Sequence, residues 1–170
     1  MTPLLSSMLN KKCDILKVIL TKFESKVKIN YQFAKKVTPL HILCTESEHS
    51  LTEGEKMFLS LKDLKLNEQE SVNLYSPLHL AVLCNKQEIV KILLDNPQVD
   101  VNIKDIKKNT PLHYAFPNRN DYQEHFEILK LFLNSSNKKL DLMPTNSSVF
   151  ILFILFLTNN LVSSTSSGFC

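Results

Sequence analysis

Apolar residues recur along the chain in short bursts at helical spacing, and the bursts come in pairs. The pattern is clearest from Ser76 to Asp105. Leu78 to Cys84 is a compact apolar run, and Asn85-Lys86 interrupts it. Ile89, Val90, Ile92, Leu93 and Leu94 then follow on one helical face, leaving Glu88, Lys91 and Asp95 toward water. This alternation predicts two helices joined by a tight turn. Ser76 supplies an N-cap hydroxyl, and Pro77 suits the first helical position, where its missing N–H loses nothing. Asn85 is the non-glycine residue best able to take the left-handed conformation of a helix C-cap. Asn96-Pro97 stops the second helix, and Val99-Asp100-Val101-Asn102, too short for a strand of a sheet, reads as the arm of a hairpin loop.

The same unit starts four times: Thr2-Pro3-Leu4-Leu5, Thr38-Pro39-Leu40-His41, Ser76-Pro77-Leu78-His79 and Thr110-Pro111-Leu112-His113, at spacings of 36, 38 and 34 residues. Closing segments recur as well, with Asn30, Asn67 and Asn102 at equivalent places. The Thr-Pro-Leu-His helix start, the Ile-Val-Lys-Ile-Leu-Leu second helix and the closing Asp-Val-Asn resemble the ankyrin repeat, whose unit is about 33 residues. The resemblance covers roughly residues 1–146. It implies an all-α solenoid of about four helix-turn-helix units joined by β-hairpin loops, followed by an irregular tail over residues 147–170.

Two units depart from the template. After Thr38 to Cys44, the polar segment Thr45 to Glu55 stands in place of the tight turn, and Met57, Phe58, Leu59 and Leu61 supply the second helix about five positions late. In the fourth unit Pro117 to Asp121 ends the first helix early, and Phe126 to Leu133 forms the second. Extra residues of this kind belong in surface loops, because lengthening a loop slightly costs little. Where the family pattern places glycine two residues before the Thr, this chain has Lys36, Leu74 and Lys108; at the helix-to-helix turn it has Lys11 and Asn85. A non-glycine residue at positive φ is strained, so looser or differently shaped hairpins and modest stability are expected.

The chain's end breaks the pattern. Val149 to Leu157 is nine apolar residues in a row, before a Ser-rich finish. A helical membrane span needs about 20 apolar residues, so an anchor is the weakest of three readings; an irregular cap on the fourth unit and the start of a foreign segment are the others. The segment is expected to be poorly ordered. At the other end the repeat begins almost at once, with no leader-like sequence before it.

Composition removes several function classes. Gly54 and Gly168 are the two glycines, so glycine-rich phosphate loops are absent. The net charge of +3, from 20 basic and 17 acidic residues, is too mixed to argue for nucleic acid. Cys13, Cys44, Cys84 and Cys170 lie 31, 40 and 86 residues apart with no Cys-x-x-Cys pair; three sit in apolar runs, as reduced thiols of an intracellular protein would.

His41, His79 and His113 invite a metal or general-base reading, but their recurrence one repeat apart would keep them from converging on one ion. A structural role is favoured: each imidazole follows Thr/Ser-Pro-Leu and can bond the hydroxyl and the backbone of a neighbouring hairpin. His49 and His125 stand in loop-like polar surroundings. No Ser or Cys has a base and an orienting acid, so no catalytic, cofactor or metal residue is assigned and the chain is expected not to be an enzyme.

The resemblance implies a protein partner, with no small-molecule substrate, bound at the hairpin tips and the concave face of the first helices. The tip positions are Ala34, Lys35 and Val37, then Val72, Asn73 and Tyr75, then Ile106, Lys107 and Asn109; the helix-one positions are Thr45 and Glu46, Leu83 and Cys84, Pro117 and Asn118. Basic tips around the apolar Tyr75, Leu83 and Cys84 suit a partner segment with acidic and hydrophobic residues, and solvated loop lysines are the alternative. Two functions follow: an adaptor, scaffold or inhibitor in cytoplasm or nucleus, or an ankyrin fragment of a larger regulatory or membrane protein.

Overall fold

Each of the four expected starts begins a helix at its proline. The structure is a computed structural model that describes residues 3–10, 13–22, 27–46, 50–115, 122–135 and 139–140. Within these, eight α-helices and one 3-10 turn follow in order: α1 Pro3–Leu9, α2 Cys13–Lys22, the 3-10 turn Ala34–Lys36, α3 Pro39–Glu46, α4 Glu53–Leu59, α5 Pro77–Leu83, α6 Gln87–Asp95, α7 Pro111–Tyr114 and α8 Tyr122–Asn134.

The helices form two layers. First helices pack on first helices, α1 on α3, α3 on α5 and α5 on α7, while α2 packs on α4 and α6 on α8. Leu40, Leu78, Ala81, Ile89, Leu93, Ile128 and Phe132 are buried between the layers and between units, so each unit completes the core of the next. The arms Leu64, Leu66, Val99 and Val101 are buried against the same core. Among the described residues there is no strand: the expected β-hairpins are turns and loops, closed by backbone bonds from the N–H of Phe33 to the carbonyl of Val37 (2.7 Å), Glu70 to Tyr75 (3.0 Å) and Asp105 to Asn109 (2.9 Å).

The second helices of both irregular units start earlier than the sequence suggests. α4 begins at Glu53 rather than near Met57, because Thr52 and Glu55 cap it reciprocally: the Glu55 N–H donates to the Thr52 hydroxyl (3.3 Å) and the Thr52 N–H to the Glu55 carboxylate (2.7 Å). Glu88 of α6, expected to face water, accepts the Leu51 N–H (2.8 Å) and pairs with Lys56 (3.1 Å), tying this loop to the next unit. α7 does end early, at Tyr114, and α8 starts at Tyr122, four residues before Phe126. Lys11-Lys12, His49, Pro117 to Asp121 and the tail from 147 to 170 lie outside the described residues, as do the side chains of Leu5, Cys13 and His125.

The glycine substitutions leave a clear mark on the backbone. Lys36 (φ 58°), Leu74 (φ 58°), Asn85 (φ 52°) and Lys108 (φ 63°) all adopt the left-handed conformation, and Lys35 joins them at 63°. At Asn85 the conformation closes a Schellman cap, with Lys86 N–H on the Ala81 carbonyl (2.8 Å) and Asn85 N–H on that of Val82 (3.1 Å).

Two stability measurements test this architecture. Leu93→Ala should lower unfolding free energy by about 2–5 kcal/mol, since the side chain is buried at the junction of α6 with its neighbours; an unshifted urea midpoint would contradict it. Conversely, Lys36→Gly and Leu74→Gly should each stabilise by roughly 0.5–1 kcal/mol by relieving left-handed strain, whereas Asn85→Gly should gain less. No gain, or a loss, at both Lys36 and Leu74 would show that the tips are unstrained.

Candidate functional site

The site residues singled out in the sequence fall into a buried half and an exposed half. Thr38, Ser76 and Thr110 are buried N-caps, Pro39, Pro77 and Pro111 open the helices, and Leu40, Leu78 and Leu112 enter the core. His41, His79 and His113 close the first turn. The Thr38 N–H donates to His41 Nδ1 (3.2 Å), and the Thr38 hydroxyl lies 2.8 Å from the same nitrogen. A backbone N–H can only donate, so Nδ1 is unprotonated and Nε2 carries the proton, which it gives to the Tyr75 carbonyl at 3.2 Å. The next unit repeats the arrangement: Ser76 holds His79 Nδ1, and His79 Nε2 reaches the Asn109 carbonyl at 3.2 Å. Thr110 holds His113 Nδ1 likewise, at 3.0 and 2.8 Å. His41 and His79 therefore fasten helix starts to the following tips. No cluster of metal-ligating side chains occurs among the described residues.

Burial lowers the pKa of His41, against a raising influence from the Tyr75 carbonyl and from Glu70 and Glu68. It lowers that of His79 too, against the Asn109 carbonyl and Asp105, with His113 adding to the decrease. Both imidazoles are held neutral.

The tips contain two residues that the sequence reading passed over. Glu70 is only 7% exposed, and its carboxylate accepts the N–H groups of Val72 (2.6 Å), Asn73 (2.7 Å) and Tyr75 (3.2 Å). Burial pushes this carboxyl up, but the three backbone bonds and the nearby His41 outweigh it and hold the group below the usual value. Asp105, 4% exposed, does the same for the third tip, accepting from Lys107 N–H (2.8 Å), Asn109 N–H (2.8 Å) and the Tyr114 hydroxyl. The signal was available: each carboxylate follows a closing Asn by three residues, Asn67 to Glu70 and Asn102 to Asp105. Phe33 occupies this place in the first tip.

Two further ladders join the units. Asn30 donates to the Asp63 carbonyl (2.7 Å) and accepts from Lys65 N–H (2.8 Å); Asn67 treats Gln98 (2.8 Å) and Asp100 (2.9 Å) in the same way, and Asn102 donates to the Lys139 carbonyl (2.7 Å). At the tips, Ser71 N–H donates to the Lys35 carbonyl (2.8 Å) and Ile106 N–H to that of Asn73 (2.9 Å).

Of the expected contact residues, Lys35, Val72, Asn73, Leu83, Ile106 and Lys107 are exposed, with Ile106 reaching 61%. Val37, Tyr75, Cys84 and Asn109 are partly buried. Tyr75 packs its ring on His79 (centroids 5.7 Å) and edge-on to Tyr114 (5.8 Å), and Asn109 donates to the Tyr114 hydroxyl (3.3 Å), so both stiffen the tips from within. Burial raises the pKa of the Cys84 thiol and does so more strongly at fully buried Cys44. Thr45 and Glu46 end α3; Pro117 and Asn118 lie outside the described residues.

Paired helices in two layers, recurrent Thr/Ser-Pro-Leu-His starts and tip-to-helix histidine bonds define a helical repeat protein. The chain belongs to the ankyrin-repeat family: the family described as ankyrin repeats (3 copies) matches residues 4–105 and 53–144. Ankyrin repeats generally mediate protein–protein interaction. Among curated proteins the chain is similar to a probable serine/threonine-protein kinase of Dictyostelium discoideum, 31% identical over 119 residues, which is 66% of this chain and 14% of that protein. No helix among the described residues is long and apolar enough to cross a membrane.

The neutral histidines make stability pH-dependent. Folded pKa values below the ordinary 6.5 mean that the unfolded chain binds more protons, so the stabilisation is complete above about pH 6.5 and is lost as pH falls through the folded values. Glu70 extends the loss below 4.5. Urea midpoints should be level from about pH 7 to 8 and decline from about 6.5 downward, and His41→Gln with His79→Gln should flatten the decline that begins there. An unchanged slope in the double variant would contradict the neutral assignment.

Proposed function

We propose that this chain is a non-enzymatic interaction module, acting as adaptor, scaffold or inhibitor inside the cell and binding a protein partner through the tips and the concave face of the first helices. The observation that carries this reading is the exposure of Val72 and Ile106 on tips tied to one another by the Ile106–Asn73 backbone bond, and of Leu83 at the end of α5. Apolar groups held in place outside the core lose little freedom on binding, which favours association. The repeats over residues 1–146 form the binding domain.

A second reading is an ankyrin segment of a larger regulatory protein. It is favoured by the similarity to a probable kinase of which the chain spans 14%. Both readings place the same surface in contact with a partner and differ in whether that partner is on another chain.

Leu83→Asp together with Ile106→Asp tests the shared claim. Both positions are exposed, so the fold should survive, as judged by circular dichroism, and capture of bound protein in a pull-down should be lost. Tyr75, half-buried against His79 and Tyr114, is a poorer probe because its removal also disturbs the fold. Undiminished capture by the double variant would put the interface elsewhere.

A further inference from the structure

Counting back from Thr38, Ser76 and Thr110 places the tip residues in rows that run along the repeat axis. Two residues back stand Lys36, Leu74 and Lys108, all with left-handed backbones. Three residues back stand Lys35, Asn73 and Lys107; four back, Ala34, Val72 and Ile106. All nine are exposed, Val72 by 47%, Leu74 by 39% and Ile106 by 61%. Two rows thus read cation, uncharged, cation, and the third is apolar throughout.

The rows are held in register. The Ser71–Lys35 and Ile106–Asn73 backbone bonds link each tip to the next, and Lys36 and Leu74 line one open cleft of about 640 Å3 with Leu64 and Gln98. The middle tip is one residue longer, since its closing bond joins Glu70 to Tyr75, five residues apart, against four in Phe33–Val37 and Asp105–Asn109.

The acids of the tips do not offset this charge from outside. Glu70 and Asp105 are buried and turned onto the backbone N–H groups of their own loops. Their charge is spent on fixing the loops, while Lys35, Lys36, Lys107 and Lys108 are exposed on the flanking tips. Opposite charges on a partner would meet cations at both ends and apolar side chains between them.

The geometry points to an acidic linear protein segment as the partner, lying along the tips with apolar side chains over Val72, Leu74 and Ile106 and carboxylates at the Lys35-Lys36 and Lys107-Lys108 ends. This rests on the tips being a protein-binding surface, as proposed above. A nucleic-acid strand would use the lysines and leave the apolar row uncovered.

Selection from a random-peptide phage library against the full chain tests it. Enriched peptides should combine Asp or Glu with Leu, Ile or Phe. As synthetic probes in fluorescence anisotropy they should lose at least about tenfold in affinity with Lys35→Glu and Lys107→Glu, and equally with Val72→Asp and Ile106→Asp, and should weaken with added salt. Enriched peptides without acidic bias that still need Val72 and Ile106 would overturn the assigned partner chemistry and leave the interaction reading standing. Peptides insensitive to substitutions at the tips and at Leu83 alike would overturn both. A single-stranded oligonucleotide that binds more tightly than these peptides, needs the lysines and ignores Val72→Asp and Ile106→Asp would overturn the protein-segment assignment.

Discussion

A buried hydrogen-bonding group at the junction between two repeats has to be matched across that junction, and this requirement organises the molecule. The neutral imidazole of His41 is the central case. Its Nδ1 is occupied by Thr38 of its own unit and its Nε2 by the Tyr75 carbonyl of the next, so one side chain caps a helix and positions the following tip. His79 repeats this between Ser76 and Asn109. Apolar stacking alone would allow adjacent units to slide; these directional bonds, with the Asn30, Asn67 and Asn102 ladder, fix their relative position.

The same requirement explains how the tips carry non-glycine residues at positive φ. Left-handed lysine or leucine costs about 1–2 kcal/mol. In the second and third tips a buried carboxylate offsets this by accepting two or three N–H groups, as Glu70 and Asp105 do. The first tip has Phe33 at that place and a 3-10 turn with two consecutive left-handed lysines. A side chain replaces the freedom that glycine would have given, and it leaves the tip with an outward surface of cations and apolar groups.

Much of this was legible in the sequence, for local reasons. Thr/Ser-Pro-Leu-His encodes cap, first turn and core residue in four adjacent positions, so the helix starts and the structural role of the histidines could be read directly. Lys36, Leu74, Asn85 and Lys108 stood out because they replace the family's glycines, and all four proved left-handed. Other features depended on longer or shifted relations. Glu70 and Asp105 escaped notice because the second tip is one residue longer, which hides their common distance from Asn67 and Asn102 when units are aligned at the helix starts. The reciprocal cap of Thr52 and Glu55 was hidden in a polar stretch taken as loop. Tyr75 reads as an exposed aromatic, while its ring packs on His79 of its own unit and on Tyr114 of the next.

The second and third tips are ordered from inside by their own carboxylates. Native-state amide hydrogen exchange followed by NMR addresses it residue by residue. Exchange should be slow at Asn73 and Tyr75, which donate to Glu70, and at Lys107 and Asn109, which donate to Asp105, and faster at Ala34 and Lys35 in the first tip. Equally fast exchange at all six amides would contradict it.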